Sequence, residues 1–415
     1  MFFFPPVEAG SPAAAVPVTQ PRRGPGPGVG RKTLRVGLVG CGAFARFSVA
    51  HYRQLPDVCI ASVADIDPVA TQRAAAELQA EPRTPEAILT SPDIDLVYIA
   101  TPPGLHFMQA ATALRSGRHV LVEKPLATTL QDARALEQIA AENHLVCVAN
   151  LIERYNPLAH AVRRLIESRA LGNLVHGLFV NEAADEGLSR EHWFWNHAIS
   201  GGIFVEHGVH FFDLVASWLG PGTVLSAARN LRPELDGQDK NAPREAGEAK
   251  REPVEEQVVC TCRYGSVLFH YEHGFHQPSR MDRQEMRLVF ERGEVRLFDW
   301  VPTHGELRGL VGDDGIDVLS AMLPGSEARA IDTYEGERRR MRGRFQDFEA
   351  KALVEMRFGL GMEKLDLYGQ VVRDLAADQM AWIRDQRHVR TLTEADSVAC
   401  VALACEADRL ARSVD

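Results

Sequence analysis

The sequence predicts an α/β protein with two sheets, a doubly wound parallel sheet first and an open, mostly antiparallel sheet after it. Three observations carry this. From Leu34 to Asn150 short apolar runs alternate with helix-like segments, and strands separated by helices form a parallel sheet. After about residue 170, strand-like runs follow one another as hairpins, which makes an antiparallel sheet. The 415 residues also exceed what one ordinary core organises, so two domains are expected.

Segment 1–33 is rich in Pro, Gly and Ala and lacks periodicity, and reads as a disordered tail. Its Arg22–Arg23 pair is followed by GPGPGVGRK and no apolar stretch, which argues against an export signal. The run LRVGLVG then leads into a helix-like CGAFARFSVAHYRQL, placing Gly40-x-Gly42-x-x-Ala45 at a strand-to-helix turn. Glycines there allow a tight turn and close approach of a pyrophosphate, which the amides opening the helix (Ala43, Phe44, Ala45) would bind.

A second strand, CIASVAD, ends at Asp65, twenty-three residues after Gly42 (65 − 42). An acid at that offset accepts the ribose hydroxyls and repels a 2′-phosphate, so NAD is expected over NADP. The lesser alternative is a cap on the helix that Pro68 opens, and the two roles are compatible.

Further helices are expected at 68–80, near 106–116 and at 129–143, with strands at 95–101, 119–125 and 145–150. Ligands bind beyond the carboxyl ends of such strands, here Gly40–Gly42, Asp65, Thr101–Pro102, Glu123–Lys124 and Asn150. Lys124 ends the apolar strand HVLVEKP; a partly desolvated lysine at a cleft suits proton chemistry, and pairing with Glu123 is the plainer alternative.

The second half reads as strands in NLVHGLFVNEA and TVLSAARNL, then hairpins turning at 264–266 and at Arg292–Gly293. Segment 232–256 is strongly charged and reads as a mobile loop. Helices are expected at about 344–360, 366–385 and 393–412, and the basic run around Arg338–Arg344, flanked by acids, as a solvated helix face. The expected domains are therefore 34–150, binding a dinucleotide, and 151–415, supplying substrate contacts and oligomerisation.

A net charge of −10 argues against nucleic acid or an anionic membrane as partner. No apolar run approaches the ~18–20 residues of a membrane span. Seven scattered cysteines without a metal-type CxxC pair predict a reduced, cytoplasmic protein.

The stretch SGGIFVEHGVHFFDL (200–214) is apolar enough to be buried yet carries Glu206, His207, His210 and Asp213. On a single α-helix Glu206, His210 and Asp213 share one face, predicting a polar stripe at a cleft that Gly208 leaves open to a ligand. His207 falls off that face and reads as structural; neighbours diverge on a helix, so no metal site is expected.

Three stretches carry a resemblance. ATPPGLHFMQAATALRSGRHVLVEKPLA (100–127), RYNP (154–157) and GGIFVEHGVHFFD (201–213) resemble the ordered motifs of the Gfo/Idh/MocA family of NAD(P)-dependent oxidoreductases. The resemblance covers roughly 34–225 well and the later strands loosely. It implies an N-terminal Rossmann domain, a second α/β domain, and assembly as a homodimer or homotetramer. It also implies His106, Glu123 and Lys124 near the cofactor, and Lys124, His210 and Glu206 as the catalytic set. Glu206 stands where the family carries Asp, which leaves its role open between substrate ligand and partner of His210. Substrate contacts are expected from Asn150, Arg154, Tyr155, Trp195 and Asp213, with His192, Trp193 and Asn196 nearby. The implied reaction is hydride transfer between NAD and a secondary hydroxyl of a polyol, inositol or sugar. A redox-neutral glycosidase or lyase using bound NAD, and a non-enzymatic sensor, remain as alternatives.

Overall fold

The structure, a computed structural model, describes residues 33–185, 187–232 and 253–413. The expected disordered tail, apart from Thr33, and residues 233–252 of the expected mobile loop lie outside the described residues.

The first sheet has six strands: β1 (Leu34–Val39), β2 (Val58–Ala64), β3 (Glu81–Pro82), β4 (Leu96–Ile99), β5 (His119–Val122) and β6 (Cys147–Ala149). Their spatial order is β3-β2-β1-β4-β5-β6, with every pairing parallel. The connecting helices are α1 (Ala43–Tyr52), α2 (Pro68–Leu78), α3 (Pro85–Thr90), α4 (His106–Arg115) and α5 (Leu130–Asn143). The strand order reverses direction between β1 and β4, so the chain leaves a crevice at their carboxyl ends. The short β3 and α3 carry no long periodic pattern and were not expected from the sequence.

After α6 (Pro157–Ser168) comes a nine-stranded sheet. It contains β7 (Leu174–Ala184), β8 (Gly222–Leu231), β9 (Glu255–Tyr264), β10 (Val267–Gln277), β11 (Arg283–Phe290), β12 (Gly293–Phe298), β13 (His304–Val311), β14 (Glu327–Thr333) and, beyond a small ribbon of β15 (Arg340–Arg342) and β16 (Asp347–Glu349), β17 (Ala352–Gly359). Its strand pairs are antiparallel except β7 with β10. The short α7 (His197–Ser200) precedes α8 (Val209–Leu219), and α9 (Gly315–Met322) links β13 to β14. One sheet face is buried against α8, where Phe179 stacks on Phe211 with ring centres 3.5 Å apart and Tyr271 meets Phe212 edge-on at 4.7 Å.

Two sequence expectations are corrected here. The helix expected at about 344–360 is strand: Ala352, Val354, Met356 and Phe358 point inward while Glu355 and Arg357 are exposed, a period of two that packs β17 between β13 and β14. The basic run is exposed as expected, but as a 3₁₀ turn and ribbon rather than a helix, with Arg340 paired to Asp347 at 2.6 Å.

Helices α10 (Lys364–Arg384) and α11 (Glu394–Arg412) return to the first sheet. Tyr368 of α10 packs on Phe44 and Phe47 of α1. Glu394 and Ser397 of α11 accept the backbone amides of Cys147 and Ala149 at 3.0 and 3.2 Å, which covers the open edge of β6. No helix among the described residues is long and apolar enough to cross a membrane.

Candidate active site

A cavity of about 410 Å³ runs along the carboxyl ends of the first sheet. It reaches from the Gly40–Gly42 turn, past Asp65, Thr101 and Pro102, to Glu123, Lys124 and Asn150, and is closed by Glu206, His207, His210 and Trp300 from the second unit. Lining the two halves are Val39, Phe44, Ala45 and Ala100 on one side and Ile152 and Trp193 on the other.

The glycine turn has a physical reason at each position. Gly40 has φ +96°, and a Cβ there would sit 2.4 Å from the carbonyl oxygen of Ala100, so only glycine fits. Gly42 has an ordinary φ of −60°, and a Cβ there would meet no protein atom within 4 Å. The space beside it is therefore left for something other than protein. It opens on the N-terminus of α1, which has neither a side-chain cap nor an acid in its first turn, whereas Asp67, Thr84 and Thr129 cap α2, α3 and α5. An uncapped helix start beside an open glycine is a cradle for an anion such as a pyrophosphate. Asp65 takes the Cys41 amide at 2.7 Å on one oxygen and the Asp67 amide at 3.0 Å on the other, so it also holds the turn in shape. The neighbouring Ile66, 91% exposed, offers an apolar surface to the same cavity. These residues fit a dinucleotide.

Behind this wall His106 is fully buried, its ring nitrogens 2.7 Å from the carbonyl oxygen of Pro125 and 2.8 Å from that of Thr101. Burial pushes its pKa down. His106 does not line the cavity; it ties the turn after β4 to the Glu123–Lys124–Pro125 turn after β5. Glu123 accepts hydrogen bonds from the Tyr98 hydroxyl and from Asn150 Nδ2 (2.8 Å), and burial raises its pKa. Asn150 is left with Oδ1 buried and without a partner.

The far wall departs from the single helix expected. Phe204–Gly208 is a π-helical turn that runs directly into α8. A π turn inserts an extra residue and shifts the phase of everything after it. Glu206, His207 and His210 thereby all reach the cavity, while Asp213 turns away. Asp213 instead receives a two-pronged bond from Arg154, both contacts 2.7 Å, and Arg154 also meets Asp396 at 3.0 Å and the Thr391 carbonyl at 3.1 Å. This closed cluster fastens α8 to α11.

Lys124 donates to the carboxylate of Glu206 and, at 3.0 Å, to its main-chain carbonyl. The other oxygen of Glu206 stands 3.0 Å from His207 Nε2 without hydrogen-bonding geometry. His210 is 4% exposed, with Nδ1 unpartnered; burial, reinforced by the Lys124 charge, drives its pKa well below that of a free imidazole. It is neutral near pH 7 and has a lone pair to accept a proton.

Of the expected site residues, Gly40, Gly42, Phe44, Ala45, Asp65, Thr101, Pro102, Glu123, Lys124, Asn150, Glu206 and His210 are gathered around one cavity. Arg154, Tyr155, Asp213 and Trp195 are not among its lining residues. Tyr155 donates to Asp378 at 2.7 Å, and Trp195 lies under the Arg232 guanidinium. Gly208 is glycine because a Cβ there would sit 2.9 Å from the Phe212 ring, not because a ligand approaches. His207, read as structural, is in the wall, placed there by a π turn that no residue spacing announces. Trp300 and Tyr368 were missed; they come from a hairpin end and from α10, far along the chain, and carried no local signal. Among the described residues no group of three or more His, Cys, Asp or Glu side chains could hold a metal ion.

Comparison with known proteins bears on this arrangement. Residues 34–151 match the family described as "Oxidoreductase family, NAD-binding Rossmann fold", and residues 159–296 match the "GFO/IDH/MocA C-terminal domain". A dTDP-3,4-didehydro-2,6-dideoxy-alpha-D-glucose 3-reductase of Saccharopolyspora spinosa is 32% identical over 211 residues, covering 48% of this chain and 60% of that protein. Levoglucosan dehydrogenase of Pseudarthrobacter phenanthrenivorans is 26% identical over 255 residues, 57% of this chain and 65% of that one. The chain thus spans about three fifths of the length of these curated relatives. Among solved structures, a levoglucosan dehydrogenase in complex with NADH and L-sorbose superposes with a TM-score of 0.70 at 18% identity, covering 92% of this chain and 98% of the other, which shows a shared fold.

Proposed function

The chain belongs to the Gfo/Idh/MocA oxidoreductase family, and from that premise we propose that it moves a hydride between NAD and a secondary hydroxyl carbon of a polyol or sugar. Support comes from relatives named as sugar and inositol dehydrogenases or reductases. The observation that carries the reading is the single cavity joining the anion cradle at Gly42 to a proton-handling group at Lys124, Glu206 and His210. In this reading 34–150 holds the cofactor and 151–415 supplies the substrate face.

The cofactor would lie along the Gly40–Gly42 turn with its ribose at Asp65, and when bound its nicotinamide supplies the two-electron acceptor or donor. The chain's own groups handle the rest. His210, kept neutral by burial and lining the cavity, takes the hydroxyl proton during oxidation and returns it during reduction. Lys124 steadies the developing negative oxygen, and Glu206 holds the ammonium in place. Trp300, edge-on to both His207 and His210, keeps that wall dry.

Absorbance at 340 nm, with NAD⁺ or NADP⁺ and a panel of inositols, sugars and sugar acids, tests the reading. A rise with one class, faster with NAD⁺ and lost in Lys124→Ala, supports it. Tightly held NAD that never accumulates as NADH on any substrate would sink it and favour redox-neutral chemistry.

A further inference from the structure

Between β7 and α8 the chain runs as a strap, residues 187–200, that belongs to neither sheet. Trp193 of this strap lines the cavity together with Lys124 and His210. Its far end, α7, lies against Pro103–Leu105 of the first unit, where a Cβ on Gly104 would sit 3.4 Å from the Ile199 carbonyl oxygen. Among the described residues, the backbone hydrogen bonds before α7 are local: Leu188 to Asp185, His192 to Ser189, Trp195 to His192 and Asn196 to Trp193. Side chains must therefore hold the strap to the sheet. Phe194 is one anchor, buried edge-on against Phe275 and His207 with ring centres 5.1 and 5.6 Å apart.

Arg232, the residue after β8, is the other anchor. Its guanidinium lies over the Trp195 ring at 4.8 Å and donates to the Phe275 carbonyl at 3.2 Å. It also meets Glu256 at 3.2 Å and Asp185 at 3.6 Å. One planar group thus joins Asp185, before the strap, and Trp195, within it, to strands β9 and β10. Its own main chain is fixed by a 2.7 Å bond from the Arg232 amide to the Val254 carbonyl. A lysine, as a point charge, could not stack and bond in one plane as this fork does. Trp193–Trp195 is a single 3₁₀ turn, so Trp195 and Trp193 move as one piece. We propose that Arg232 is a positioning residue for the substrate side of the cavity: by clasping Trp195 it sets Trp193 in the wall. Arg232 does not line the cavity and acts through the strap. For its effect on substrate, the inference rests on the oxidoreductase reading above.

The test compares wild type with Arg232→Met, Arg232→Lys, Trp193→Ala and the double variant Arg232→Met with Trp193→Ala. Hydrogen exchange reads the strap directly. The amides of 188–196 should exchange about 3- to 30-fold faster in Arg232→Met, while those of 34–150 stay as in wild type. NADH formation on myo-inositol, D-glucose and D-xylose reads the consequence for substrate. In Arg232→Met, KM should rise about tenfold at nearly constant kcat, with NAD⁺ affinity by calorimetry unchanged. Arg232→Lys should fall between the two. Arg232→Met should add little to the KM of Trp193→Ala, because the two residues act in series. Wild-type exchange of 188–196 in Arg232→Met, an unchanged KM, or full additivity with Trp193→Ala overturns the inference. A parallel loss of NAD⁺ affinity would mark general damage and overturn it as well. If no substrate yields NADH with wild type, the oxidoreductase reading falls separately and exchange of 188–196 alone decides the inference. If Arg232→Met does not fold, Arg232→Lys decides by the same criteria.

Discussion

Two polar clusters sit on consecutive turns of the same helical segment, and they are opposites. At Asp213, Arg154 supplies both prongs to one carboxylate and also reaches Asp396 and a backbone carbonyl. At Glu206, His207 and His210, one oxygen and three ring nitrogens are buried without partners. Both clusters are out of water, so burial does not separate them; unmet hydrogen-bonding capacity does. A closed cluster is a fastening, and an open one, with buried polar groups unmet and pKa values displaced, is the pattern of a functional site.

The largest effects should therefore fall on different observables. His210→Gln removes a group whose Nδ1 has no partner to lose, so kcat/KM should drop about 10²–10⁴-fold. Its unfolding free energy should stay within about 1 kcal/mol of wild type in a denaturant titration. Arg154→Met strands Asp213 and should cost about 3–5 kcal/mol of stability, with activity lost only in proportion to unfolded protein. If Arg154→Met melted normally yet abolished turnover, the contrast between the clusters would be wrong.

The glycine turn sharpens the same comparison at a smaller scale. Gly40→Ala forces a Cβ against the Ala100 carbonyl at a positive φ and should destabilise by about 1–3 kcal/mol. Gly42→Val fills space that no protein atom uses; calorimetry should find NAD⁺ affinity reduced at least about tenfold with the melting temperature little changed. Equal NAD⁺ affinity in Gly42→Val would mean that the cradle is not where the pyrophosphate lies.

The buried titratable groups extend the comparison to pH. Burial holds His273 at a pKa of about 3 and depresses His207 and His210, so all three stay neutral in the fold while the unfolded chain takes up protons below about 6.5. Their contribution is complete above pH 6.5 and falls with acidification by at most about 1.4 kcal/mol per unit and histidine. Glu153 works in the other direction. Burial raises its carboxyl to about 8, so the folded state binds a proton the unfolded state releases above about 4.5, and stability is lost as pH rises through 8. Urea titrations at pH 5, 7 and 9 should find the stability of Glu153→Gln relative to wild type rising from pH 5 through pH 7 and levelling above pH 8; an equal difference at pH 5 and pH 9 would refute this assignment.

How far the sequence could be read follows from where each signal resides. Gly40, Gly42 and Asp65 were legible because a tight turn and a strand end write their needs into adjacent residues. The wall at 206–213 was legible as polar residues in an apolar helix, but its faces were not, since a π turn leaves no trace in spacing. Arg154 was misassigned to the substrate because its partners lie 59 residues away at Asp213 and further still on α11. Strand β17 was mistaken for helix although its inward residues alternate, because the charged residues between them suit either form.

The stitching of β6 to α11 sets a timetable for synthesis. The amide of Ala149 waits for a hydroxyl 248 residues later in the chain, and that of Cys147 for a carboxylate 247 residues later. At about 5–20 residues per second the ribosome takes on the order of ten to fifty seconds to deliver them. Throughout that interval the amides of Cys147 and Ala149, on the edge strand next to Asn150, wait for the partners that α11 brings when it emerges and docks.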